Sequence, residues 1–174
     1  MPKNKILDFG VARFDRLMAA TNPEMPDNYH EDTILTIYHG TTKTAAQQIV
    51  IAGLMPQVGN FMRSVYPHAK TPAIYAADDY HKRKTFSAIR FLIASKLGKS
   101  KNRLTQEDFL LFGAVLVITT DRHKFKQTTK NDRPHRGAEK FDYVSHDLVQ
   151  PDAVLENDAL VAFFGDILGM LHPS

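Results

Sequence analysis

The residues with the clearest chemical potential follow a short apolar segment, in the order Tyr38-His39-Gly40-Thr41. Glycine lets a ligand approach the backbone closely, so that the N–H and C=O of Gly40 become specific contacts. The histidine and threonine beside it add side-chain donors and acceptors. This group is typical of a binding site at a strand end, and a tight turn with an incidental histidine has the same sequence.

Two aromatic residues form the second candidate group. Tyr75 lies in the apolar run 73–77, and Phe86 follows it eleven residues later. Two rings at this spacing can bracket a flat heteroaromatic ligand. Aromatic side chains more often pack in a core, however. These residues alone therefore favour core packing.

An acidic residue at the start of a β-rich segment forms the third candidate group. Asp142 precedes Tyr143 and Val144 in a segment rich in β-formers. A carboxylate in this setting is either an exposed acid on an edge strand or a group that acts on a bound ligand. The choice depends on what lies beside it in the fold.

Hydrophobic periodicity predicts the elements that must position these residues. Thr44 is expected to cap a helix that Gly53 ends, and Asp78 or Asp79 to cap a longer helix that reaches Leu97. An amphipathic helix is also predicted near the N-terminus, and polar loops at 54–71 and 121–140. Strands are predicted at 34–38, 73–77, 109–119, 141–148 and 153–155, and a last helix at 160–171. This irregular mixture predicts an α+β fold.

Length and composition exclude several classes of site. The 174 residues suit one domain spanning 1–174, with a helix and loop over 1–33, a core over 34–156 and a C-terminal helix over 157–174. The chain has no cysteine, which excludes disulfides, cysteine–zinc sites, iron–sulfur clusters and a thiol nucleophile. The histidines form no i, i+4 pair, so no metal is expected.

Net charge and hydropathy limit the classes of partner that the chain is expected to bind. The net charge of +3 permits an anionic partner without requiring one. The longest apolar stretch, 159–171, is interrupted by Asp166 and is shorter than the roughly 20 residues that cross a bilayer. No targeting segment is evident. A soluble, cytoplasmic protein is therefore expected.

In combination and in this order, the motifs resemble the catalytic domain of the ADP-ribosyltransferase superfamily. The similarity is to the diphtheria-toxin-like and poly(ADP-ribose) polymerase-like branch, which carries a His–Tyr–Glu triad. It covers roughly 34–155 and includes a hydrophobic strand at 113–119. Its motifs are Tyr38-His39-Gly40-Thr41, Gly53-Leu54, Ile74-Tyr75-Ala76-Ala77 and Asp142-Tyr143-Val144. The resemblance implies a split β core of two antiparallel sheets with flanking helices and an NAD cleft between them.

The resemblance also implies a role for each matching residue. His39 would bind a ribose hydroxyl of NAD. The backbone of Gly40 would hold the nicotinamide amide, with assistance from Thr41. Tyr75 and Phe86 would stack on the nicotinamide ring.

The resemblance places Asp142 at the position of the catalytic acid. Most of the branch has Glu there, and Asp is one methylene shorter. Rifamycin-modifying transferases resemble this chain in using Asp. Glu139 is the second candidate for the acid. Lys140 occupies the position where an Arg-specific transferase would have a Gln or Glu, which argues against that specificity.

The implied activity is NAD-dependent mono-ADP-ribosyl transfer without a metal. Cleavage of the nicotinamide–ribose bond builds positive charge on the ribose, which a nearby carboxylate stabilises. The acceptor stays open between protein, nucleic acid and small molecule, and the basic loops 54–71 and 121–140 favour an anionic one. Alternatives are an RNA 2'-phosphotransferase-like enzyme, a catalytically inactive NAD or ADP-ribose binding module, and an interaction domain. A role as toxin, effector or housekeeping enzyme is equally open.

Overall fold

The computed structural model describes residues 34–57, 72–121, 124–127 and 142–172. The predicted helix and loop of 1–33 lie outside these ranges. The same holds for Glu139 and for most of the two basic loops, 54–71 and 121–140.

Within the described ranges, six strands form one antiparallel sheet in the order β4-β5-β2-β1-β3-β6. Helices pack on this sheet, and the predicted α+β class is confirmed. The strands are β1 (Ile34–Thr42), β2 (Ile74–Ala77), β3 (Gly113–Asp121), β4 (Lys126–Gln127), β5 (Asp142–Ser145) and β6 (Ala153–Leu155).

β1 and β2 share fewer register pairs than any other neighbouring strands of the described sheet. β1 pairs with β3 along its whole length, from Ile34↔Asp121 to Thr42↔Gly113. β1 and β2 share the single register pair Tyr38↔Ala77. The described sheet therefore consists of two halves, β4-β5-β2 and β1-β3-β6, that share one register pair. A core of two separate sheets stays a prediction.

Four helices are described. They are α1 (Lys43–Ala52), α2 (Lys82–Leu97), α3 (Gln106–Phe112) and α4 (Asp158–Phe164), with 3-10 turns at Asp79–His81, Lys101–Arg103 and Gly165–Met170. Two of these helices, α1 and α3, begin at a side-chain cap. Thr42, rather than the predicted Thr44, caps α1, because β1 continues to Thr42 and its hydroxyl accepts from the Ala45 N–H. Gly53 ends α1 as predicted, at a φ of 85° that favours glycine.

Two predicted boundaries are wrong for a local reason. Phe109 was expected to begin a strand, but it lies in α3 and the strand begins at Gly113. A capping box between Thr105 and Asp108 starts the helix, because each side chain accepts a hydrogen bond from the other residue's backbone N–H. Likewise Asp78 caps the 3-10 turn that precedes α2 rather than α2 itself.

The core lies on both faces of the sheet. On one face, α2, α3 and the C-terminal segment bury a cluster around Phe86, Ile89, Phe109 and Phe164. On the other face, alternate residues of the strands form a second cluster, which includes Leu35, Ile37, Leu116, Tyr143 and, from α1, Ala46. The central strands β1 and β3 are therefore held from both sides. Among the described helices, none combines the length and apolar character needed to cross a bilayer.

Candidate functional site

Three neighbouring strands carry the three residues that the sequence assigns to catalysis. In the order β5-β2-β1, the strand of Asp142 lies beside that of Tyr75, which lies beside that of His39. The register aligns the backbone positions Tyr38, Ala77 and Asp142 in one row across these strands. Segments that are far apart in sequence are thus brought together at the junction between the two halves of the sheet.

His39 bridges the strands just beyond that junction. Its Nδ1 lies 2.7 Å from the backbone carbonyl oxygen of Tyr75. A carbonyl can only accept, so Nδ1 carries the proton and donates, which leaves Nε2 with a lone pair in the neutral ring. Burial lowers the pKa of the imidazole from its ordinary value of 6.5, and the hydrogen bond to Tyr75 only partly opposes this. The neutral, acceptor form of His39 is therefore favoured.

The lowered pKa predicts a pH-dependent contribution to stability. The unfolded state binds a proton at His39 more readily than the folded state does. The contribution is therefore fully present above the unfolded pKa and is lost as the pH falls toward the folded pKa. We expect His39→Asn, whose amide can still donate to Tyr75, to lose less stability than the wild type between about pH 7.5 and pH 5, measured by urea unfolding. Equal losses in the two proteins would contradict the assignment.

Gly40 and Thr41 lie inside β1 rather than in a turn. Gly40 pairs with Val115, and Thr41, which is also buried, pairs with Ala114. A Cβ on Gly40 would lie 2.5 Å from the Thr85 carbonyl oxygen. The absence of a side chain at Gly40 thus allows α2 to approach the strand closely. The glycine has a packing role whether or not its backbone also meets a ligand.

Thr85 is a further candidate residue, which the sequence did not indicate. Its side chain is 3% exposed, and within the described part of the chain its Oγ1 has no hydrogen-bond partner. A buried hydroxyl without a partner costs free energy, on the order of 1–3 kcal/mol. Because the Thr85 backbone lies against Gly40, the hydroxyl belongs to the same region of the fold. Nothing in the sequence marks it, since its missing partner is a tertiary property.

The ring of Phe86 is not accessible to a ligand in this structure. Its side chain is fully buried in the core, with its centroid 4.9 Å from that of Phe109 and 5.5 Å from that of Phe164. A ring covered in this way cannot stack on a ligand unless its neighbours move. Phe86 therefore packs in the core, as the two aromatic residues taken alone had indicated. Tyr75, by contrast, is partly exposed.

A buried carboxylate–imidazole pair follows β2 directly. Asp78 is 1% exposed, and its Oδ1 accepts from the Tyr80 N–H and lies 2.6 Å from Nδ1 of His81, which is itself buried. Burial, and then the negative charges of Asp79 and Asp78, raise the pKa of the Tyr38 phenol. The sequence indicated Asp78 only as a helix cap and assigned no role to His81, because the burial of both residues depends on the packing of this turn against β1.

The described residues contain no group of three His, Cys, Asp or Glu side chains placed to hold a metal ion. Comparison of the chain with protein-family models, with curated proteins and with solved structures finds no match. The local geometry therefore carries the functional interpretation.

Proposed function

We propose that this protein is an NAD-dependent mono-ADP-ribosyltransferase. The observation that carries the proposal is that β1, β2 and β5, the strands of His39, Tyr75 and Asp142, lie side by side, with His39 bonded to the Tyr75 carbonyl where β1 and β2 stop pairing. The resemblance assigns roles to these same residues, and it rests on the order of motifs in the sequence, which is independent of the strand order.

In this proposal the nicotinamide end of NAD binds at the junction between β1 and β2. Beyond Tyr38, residues 39–42 of β1 have no register partner in β2. Backbone groups on this side of the strand can therefore meet a planar amide, as proposed for Gly40. The proposal includes a core that is split into two antiparallel sheets. The single register pair between β1 and β2 supports this part of the proposal.

His39 and Tyr75 provide complementary contacts. The Tyr75 carbonyl fixes the His39 ring with Nδ1 as donor, so that Nε2 can accept from a ribose hydroxyl. The partly exposed ring of Tyr75 offers one face for stacking. Phe86 does not provide the second face in this structure because its ring is enclosed by Phe109 and Phe164.

The carboxylate of Asp142 would act on the ribose. Departure of neutral nicotinamide leaves positive charge at the anomeric carbon, and a carboxylate beside it lowers the energy of the transition state more than that of the ground state. The acceptor nucleophile then forms the new bond to that carbon and releases its proton. No redox change takes place.

The buried hydroxyl of Thr85 predicts opposite effects on stability and on binding. Thr85→Val removes a hydroxyl without a described partner while keeping the shape, so the free protein should be as stable as the wild type or slightly more stable. If the nicotinamide amide supplies the missing partner, the Kd for NAD should rise about five- to tenfold, which corresponds to one hydrogen bond.

Calorimetric titration with NAD and thermal melting measure the two effects. Thr85→Ser, which keeps the hydroxyl, is the matched control and should bind NAD nearly as the wild type does. An unchanged Kd in Thr85→Val would remove Thr85 from the site.

The decisive experiment uses NAD labelled in separate preparations on the nicotinamide and on the adenylate. Incubation with protein and whole-cell lysate should release nicotinamide and move the adenylate label onto an acceptor. Binding of NAD without release, whatever lysate is supplied, would instead establish an inactive NAD-binding module. Absence of both binding and release would refute the proposal.

A further inference from the structure

The C-terminal end of α2 and the 3-10 turn after it concentrate positive charge. Residues 96–103 contain four cationic side chains and no acid. All four are exposed. We refer to them as the basic surface, which consists of Lys96, Lys99, Lys101 and Arg103.

Tertiary contacts hold this segment against the helix rather than leaving it extended. The Lys99 N–H donates to the Ala94 carbonyl at 3.1 Å, which turns the chain back at the end of α2. Arg90 reaches over the turn and donates from Nη2 to the Lys101 carbonyl at 3.1 Å. These contacts place the cations around one end of α2.

Most of these cations have no carboxylate partner among the described residues. Lys99 is the exception, because its Nζ lies 3.0 Å from Oδ2 of Asp108. The ammonium groups of Lys96 and Lys101 lie 5.2 Å and 5.9 Å from the ring centres of Phe112 and Phe91, respectively. Each ammonium group thus lies over an aromatic ring at cation–π distance, which restricts its position before an anion binds.

The helix dipole does not account for the whole basic surface. A cation stabilises the C-terminus of a helix only when it lies within about the last turn. Lys96 meets this condition, because α2 ends at Leu97. Lys101 and Arg103 lie beyond it, in a separate 3-10 turn. Their charge therefore has no role in capping α2.

We propose that the basic surface binds the phosphate backbone of a nucleic acid. Lys96, Lys101 and Arg103 are exposed and have no carboxylate partner among the described residues, so they can contact phosphates. Binding gains free energy from the release of the ions that phosphates condense. Phosphate contacts of this kind carry no sequence preference. The proposal concerns a surface outside the NAD site and does not depend on the transferase activity.

The experiment compares two double variants with equal loss of charge. Lys101→Ala with Arg103→Ala removes two cations from the basic surface. Arg83→Ala with Lys84→Ala removes two cations from the opposite end of α2. Binding of a short fluorescein-labelled single-stranded RNA is measured by anisotropy between about 50 and 200 mM salt, after melting curves have established that both variants fold.

We expect the wild type and the Arg83/Lys84 variant to bind alike. The Lys101/Arg103 variant should bind on the order of tenfold or more weakly at the lowest salt concentration. Its salt dependence should also be shallower by about 1.4 in the slope of log K against log salt, which corresponds to two lost phosphate contacts on a single strand.

Three results would overturn the proposal. The first is absence of RNA binding by the wild type. The second is an equal loss in both double variants, which would reflect net charge alone. The third is binding of polyglutamate but not of RNA, which would identify the surface as one for acidic proteins. None of these results depends on nicotinamide release, so the test is separate from that of the transferase.

Discussion

Asp142→Ala is expected to abolish nicotinamide release while NAD binding is largely retained. The carboxylate would contribute most when positive charge builds on the ribose, and little to the ground-state complex. Loss of one such electrostatic group in other enzymes lowers kcat by about 10²–10³. Here the loss should reach the background of the assay. Nicotinamide release is measured by chromatography, and the Kd for NAD by calorimetry on the same preparation.

Glu139→Gln is the control, because Glu139 is the second candidate for the catalytic acid. It should leave nicotinamide release nearly unchanged if Asp142 is the acid. The reverse pattern, with activity lost in Glu139→Gln and kept in Asp142→Ala, would move the acid to Glu139. Unaltered activity in both variants would show that neither carboxylate stabilises the ribose charge.

Gly40→Ala should destabilise the fold by about 3 kcal/mol, at the upper end of the range for overpacking. The added Cβ would lie 2.5 Å from the Thr85 carbonyl oxygen and 2.8 Å from Cγ1 of Ile89. The oxygen is a backbone atom of α2 and cannot rotate away, so β1 and α2 must move apart. For a chain of this length, such a loss lowers Tm by roughly 6–12 °C.

Gly169→Ala is the matched control. A Cβ at Gly169 would meet nothing within 4 Å. Its melting temperature should therefore stay close to that of the wild type. A similar decrease in both variants would show that the close approach of α2 to Gly40 has no energetic consequence.

The prediction that basic loops meet an anionic acceptor stays a prediction, and the structure describes a further group of cations elsewhere. The excess of cations was assigned to 54–71 and 121–140, most of which lies outside the described residues. The structure adds a basic surface around Lys96–Arg103. These cations lie near one another because the chain turns back after α2. Hydrogen bonds from the Lys99 N–H and from Arg90 hold that turn.

The sequence by itself determined the features that arise from neighbouring residues. The α+β class, the strand at 153–155 and the end of α1 at Gly53 all follow from periodicity or backbone preference over a few positions. The boundary at Gly113 was missed because the capping box of Thr105 and Asp108 outweighs the apolar, β-branched run that follows it.

Only the tertiary structure decided which of these residues meet. The adjacency of β5, β2 and β1, the contact of His39 with the Tyr75 carbonyl and the burial of Phe86 depend on strand order and helix packing. Pairing of strands that are distant in sequence and the covering of a ring by other elements leave no local pattern. The sequence could therefore identify His39, Tyr75 and Asp142 only as separate candidates. The adjacency of their strands, the enclosure of Phe86 and the buried hydroxyl of Thr85 depend on the packing of segments that are distant in sequence.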